Sequence, residues 1–132
     1  MKLKNIIFII VILFLISCNF KVETLGTHNP ILNTTTLYKI EYYKTIEHKA
    51  FQQEKEPNFI ISNKTELKMA LEEIKNADNS EPWKGASWNK VKLYFMDTTL
   101  VLSTNDKKIG ASNSGAFYDL PNDNFIVRNL KK

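Results

Sequence analysis

Few residues of this 132-residue chain could carry covalent or acid–base chemistry, and their spacing narrows the options. The histidines are two, His28 and His48, and the cysteine is one, Cys18. No H-x-x-x-H pair and no cysteine cluster exists, so no metal site and no cofactor are expected. Glu72 and Glu73 are adjacent, and Glu54 and Glu56 bracket a lysine. Acid–base catalysis needs two carboxylates held in different environments across a cleft. Neighbours on one polar face read instead as solvated surface. Gly110 and Gly115 have the glycine spacing of a phosphate loop, but Ala116 and Phe117 stand where Lys and Ser/Thr are required. A hairpin loop is the expectation there. Trp83 and Trp88 flank Lys84 and Gly85, and they are the candidate ligand contacts, with flat apolar faces for a sugar ring or a protein. At a helix-to-strand crossover such rings more often cap a core, and that is the preferred reading. No catalytic residue is expected, and the chain reads as a non-enzyme. A carboxylate-dependent enzyme is the least favoured class.

The lone thiol has a context of its own. Lys2 and Lys4 precede an unbroken apolar run of 11 residues, Ile6 to Ile16, which ends at Leu15-Ile16-Ser17-Cys18. A charged start, a short apolar middle and a small residue at the cut are the parts of a secretory signal peptide. The ending resembles the lipobox of bacterial lipoproteins, with an apolar residue three before an obligatory cysteine and a small residue just before it. The resemblance covers Met1 to Cys18. It implies a diacylglyceryl thioether on Cys18, removal of Met1 to Ser17, and acylation of the freed Cys18 amine. A spanning helix competes poorly, since roughly 20 apolar residues are needed to cross the hydrocarbon core. An ordinary secretory signal would want a small residue where Leu15 stands. A buried core helix would not explain the leading lysines. Two or more acyl chains anchor stably, at about 0.8 kcal/mol per buried methylene. The thioether would consume the one thiol and leave none for a disulfide. The expected address is the cell envelope, with the membrane as a partner through lipid on Cys18.

Charge bears on the remaining partners. The chain carries 18 basic and 14 acidic residues; without Lys2 and Lys4 the balance is 16 to 14, a net of +2. Arg128 is the single arginine. Arginine is the preferred residue for bidentate phosphate and base-edge contacts, so no nucleic-acid role is expected. A protein partner is the favoured ligand class, as for small envelope immunity proteins and inhibitors. That comparison rests on size, address and the lack of a catalytic set. Glycan or small-molecule binding by the Trp83–Trp88 loop is the alternative.

The elements that must position these residues follow from periodicity. Residues 18–35 are polar, with Gly26, Pro30 and the first two of three consecutive threonines, and read as a lipidated cysteine and flexible tether able to lift the domain by tens of ångströms. Residues 36–132 form one domain, long enough to build its own core. Leu37 to Ile46 reads as a strand with Tyr38, Ile40, Tyr42 and Ile46 on one face and Lys39, Glu41 and Thr45 on the other. Phe59–Ile61 is a short strand after a charged connection. Leu67, Ala70, Leu71 and Ile74 recur at helical spacing behind Asn63, a candidate N-cap with Glu66 three residues on. The helix is predicted over about Lys64–Ala77. Val91–Phe95, Leu100–Leu102, Ile109–Ala111, Ala116–Tyr118 and Phe125–Val127 read as strands separated by short turns. Parity leaves open the face on which Tyr94 and Tyr118 stand. The fold class is therefore α+β: an antiparallel meander of five to seven strands with one packed amphipathic helix.

Overall fold

Strict alternation along Asn89–Phe95 makes the centre of the sheet. Val91, Leu93 and Phe95 are buried, while Lys90, Lys92 and Tyr94 stand on the opposite side. The computed structural model describes residues 3–17, 23–45, 56–80, 89–111 and 116–132. Cys18, His48, Trp83 and Trp88 lie outside these residues, as do Ile46, most of the charged connection and residues 112–115.

The described residues form a seven-stranded sheet, antiparallel at every pairing. Its strands are β1 (Leu37–Tyr43), β2 (Phe59–Ile61), β3 (Asp78–Ser80), β4 (Asn89–Phe95), β5 (Thr99–Thr104), β6 (Lys108–Gly110) and β7 (Phe117–Asp119). Their order across the sheet is β2-β1-β4-β5-β6-β7-β3. The expected α+β architecture is thus present. The meander proper is β4 to β7; β1 and β2 extend one edge, and β3 closes the other.

Register brings Ile40 opposite Leu93, Tyr42 opposite Val91, and Val91 opposite Leu102 on one face. Against that face packs helix α3 (Lys64–Lys75) with Leu67, Ala70 and Ile74. The Asn63 side chain accepts from the Thr65 and Glu66 amides at 2.9 and 3.2 Å, the predicted N-cap. Glu66 does not return the bond of a capping box. Its carboxylate meets Lys132 Nζ at 3.2 Å. An apolar helix, α1 (Leu3–Ser17), precedes the domain, and none of its described side chains belongs to the core.

Four local readings need correction. The stretch from Glu23 to Thr35, read as tether, is part of the fold. It forms helix α2 (Leu25–His28) and a 3-10 turn at Pro30–Asn33, and it buries Leu25 and Leu32 completely. Gly26 lies so close to the end of α3 that a Cβ there would sit 2.5 Å from Lys75 Cγ. Residues 18–22 of the tether lie outside the described set.

Phe125–Val127, read as the last strand, opens helix α4 (Phe125–Leu130). The buried Asn124 side chain accepts from the Ile126 and Val127 amides, and this cap outweighs the β-preference of Ile126 and Val127. Asp78–Ser80, absent from the predicted strands and lying just past the predicted end of the helix, is an edge strand paired with β7. Tyr38, placed on the buried face with Ile40, is half exposed. Leu37 pairs with Phe95 and Lys39 with Tyr94, so Tyr38 is the extra residue of a β-bulge and is turned out of the core.

Candidate functional site

The face of the sheet opposite the helix carries a polar cluster built by strand alternation. Lys39, Glu41 and Tyr43 of β1 lie opposite Tyr94, Lys92 and Lys90 of β4 in register. All six side chains therefore share that face. Glu41 is the hub. Its Oε2 accepts from the Tyr43 hydroxyl at 2.6 Å and the Tyr94 hydroxyl at 2.7 Å, and its Oε1 meets Lys39 Nζ at 2.8 Å. Lys39 Nζ also lies 4.2 Å from the centre of the Tyr94 ring, and Lys92 Nζ 5.0 Å from that of Tyr43. The Tyr38 ring stands 6.2 Å from that of Tyr94. Ile60, opposite Glu41 on β2, is exposed beside the cluster.

Glu41 is only 8% exposed although it is on the outer side of the sheet. Burial by itself raises a carboxyl pKa, but here Lys39, Tyr43 and Tyr94 together outweigh it and bring the value from 4.5 to about 2. Such a carboxylate stays ionised at any physiological pH, which unfits it as a proton donor or shuttle. What the arrangement does is hold tyrosine rings and ammonium groups in fixed places.

The depressed pKa has a stability consequence. A carboxyl whose folded pKa lies below its unfolded value stabilises the fold fully above about pH 4.5, and the contribution is lost as pH falls toward 2. Glu41→Gln is expected to cost on the order of 1–3 kcal/mol at pH 7, as for hydrogen bonds to a charged group. The gap between variant and parent should close as pH drops from about 4.5 to about 2. Urea unfolding at stepped pH reads this. A gap independent of pH would refute the role assigned to the charge.

A second polar cluster lies at the β5–β6 turn. Asp106 has φ +72°, the left-handed region that non-glycine residues seldom occupy. Its Oδ1 accepts from the Tyr42 hydroxyl at 2.7 Å and Asn89 Nδ2 at 3.1 Å. Its amide donates to Thr104 Oγ1, and its carbonyl accepts from Asn124 Nδ2 at 2.7 Å. Burial and then the Asp106 carboxylate push the Tyr42 phenol well above its ordinary range. The turn thereby ties β1, β4 and the cap of α4 together. Among the described residues no buried side-chain nitrogen or oxygen lacks a partner, so this network is closed on itself and acts as a clamp.

The carboxylates singled out in the sequence diverge. Glu72 pairs with Lys75 at 2.8 Å; Glu73 turns away to Arg128 at 2.5 Å and to the Phe125 amide. Both border an open cleft of about 450 Å³ that also reaches Asp78 and Asp119, and Asp119 is paired with Lys108. Cations thus already answer three of its four carboxylates. His28 is a surface residue 3.5 Å from Glu23 and packed near Tyr118, itself buried within the core. No group of three or more metal-ligating side chains occurs among the described residues. β6 and β7 pair as the hairpin reading of Gly110–Gly115 requires. Of the candidate contacts, Trp83 and Trp88 fall outside the described residues, and so does Cys18.

The Glu41 cluster is not legible in the sequence because its two halves are 53 residues apart. The polar parity of Lys39 and Glu41 was its one legible trace. No protein-family model, no curated protein and no solved structure matches this chain.

Proposed function

We propose that this is a lipid-anchored cell-envelope lipoprotein, non-catalytic, that binds a protein partner through the outer face of β1 and β4. The observation that carries the binding reading is the Glu41 cluster. Tyrosines held rigid by a buried carboxylate lose little entropy on binding, and Tyr is enriched where interface energy concentrates. Tyr38 and Ile60 add exposed apolar area beside it. Lys39, Lys90 and Lys92 stand on this face beside Glu41, and carboxylates on a partner's surface would complement them.

The anchor reading draws support from α1. Leu3 and Ile6 to Ile10 are between 44% and 71% exposed, and apolar area left in water costs roughly 25 cal/mol per Å². A helix with that exposure belongs in a membrane or is cut away. No helix among the described residues is long and apolar enough to cross a membrane. A leader cut away just before Cys18 accounts for both facts.

The binding reading is tested with the mature protein as bait in an envelope extract. Tyr38→Ala with Lys90→Ala should weaken capture of the specific partner tenfold or more, a loss of about 1.4 kcal/mol or greater. Met69→Ala, on the exposed side of α3, should leave capture unchanged. Capture indifferent to the β1–β4 changes would sink the assignment of this face. Saturable sugar binding with no protein captured would favour the glycan alternative.

A further inference from the structure

The chain enters the fold almost as soon as it leaves Cys18. The Asn79 amide donates to the Glu23 carbonyl at 3.2 Å, Thr24 bridges to Asp78, and the Leu25 amide donates to the Ala77 carbonyl at 3.1 Å. Leu25 is 1% exposed, and Gly26 abuts Lys75. Glu23 is therefore bound to β3, the edge strand of the sheet. Five Cα–Cα steps separate Cys18 from Glu23. At no more than about 3.6 Å each they span at most about 18 Å, less than the width of the domain. From β3 to the opposite edge, β2, the sheet crosses six strand spacings of about 4.8 Å, or about 29 Å.

From these lengths we infer that the domain is held at the phospholipid surface by its β3–α2 edge, with β2 farthest from the lipid. This rests on the lipid-anchor reading of Cys18. The attachment permits no free excursion of the domain into the envelope. β4 and β1 lie four and five strand spacings from β3, about 19 and 24 Å, so the Glu41 face is presented in the outer half of the sheet. The partner it can meet is one that comes within a domain's width of the bilayer. The exposed groups at the attachment point include the acids Glu23 and Asp78, so the covalent lipid, and not adhesion to anionic headgroups, sets the distance.

The test uses the full lipidated protein reconstituted in phosphatidylcholine vesicles that carry a headgroup energy acceptor. The thioether consumes Cys18, so Asn79→Cys or Ile60→Cys supplies the one thiol for a donor dye; both positions are exposed, on β3 and β2. Transfer from position 79 is expected to exceed transfer from position 60 several-fold. A Gly/Ser insert of about 20 residues between Lys21 and Val22, with a coil span of roughly 25 Å, should abolish the difference. Equal transfer from both positions in protein that floats with the vesicles would overturn the edge attachment and leave the anchor standing. A difference that survives the insert would also overturn it, by showing surface adhesion instead of a short connection. Protein that does not float with the vesicles would overturn the anchor, and this inference with it.

Discussion

Cys18→Ala is expected to abolish incorporation of labelled fatty acid into the protein and to leave the proposed leader, Met1 to Ser17, attached. Both effects are expected to be complete, because the thioether has no other thiol to form on in this chain. The uncut product should run larger than the parent by 17 residues. It keeps the apolar run Ile6 to Ile16, so membrane association alone is not the informative readout; label and size are. Cys18→Ser tests the same point with a near-isosteric side chain. It should also be unlabelled, since the hydroxyl lacks the nucleophilicity of a thiolate. A labelled or normally processed Cys18→Ala protein would overturn the address and remove the basis of the edge attachment.

The largest stability effect is expected at Tyr42. Its side chain is fully buried, its ring stacks on Phe59 at 4.9 Å and 8°, and its hydroxyl donates to Asp106. Tyr42→Ala should cost about 3–5 kcal/mol, the usual range for truncating a buried aromatic ring. That is a large share of the 5–15 kcal/mol that ordinarily separates folded from unfolded chains. Tyr42→Phe keeps the ring and removes the donor. It should cost about 1–2 kcal/mol, with Asn89 still bonded to the carboxylate. Urea unfolding of both variants separates the contributions of ring and hydroxyl. Equal losses in the two would mean that the stacked ring contributes little, contrary to its burial.

Elements with strong local patterns were legible in the sequence. α3 ends only two residues short of the span its sequence predicts, because its apolar spacing and its Asn63 cap lie inside a dozen positions. The strand at Asn89–Phe95 was legible because alternation needs no knowledge of its neighbours. α4 was not, since six residues, Phe125 to Leu130, are too few to show a helical period and two of the first three are β-branched. Asn124 decides the matter, and its capping role depends on bonds to Asp106 and Pro121 that hold its side chain in place. Leu25 and Leu32 are isolated apolar residues in a polar stretch, and nothing local distinguishes a buried leucine from a tolerated exposed one. The candidate site was legible only as parity. Alternation puts Lys39 and Glu41 on the polar side of β1, but the bulge at Tyr38 and the pairing with Tyr94 depend on register between distant strands.

The sequence alone determined the lipobox-like ending at Cys18, the α+β class, the main helix and most of the strands. These are encoded in runs of about ten to twenty residues, through side-chain period and caps. Tertiary structure alone decided that Glu41 is a buried hub, that Tyr38 faces outward, that Phe125 begins a helix, and that the chain meets the fold at Glu23. Each of these depends on which distant segments touch, and pairing, bulges and packing between segments far apart in the chain leave no periodic trace in either one.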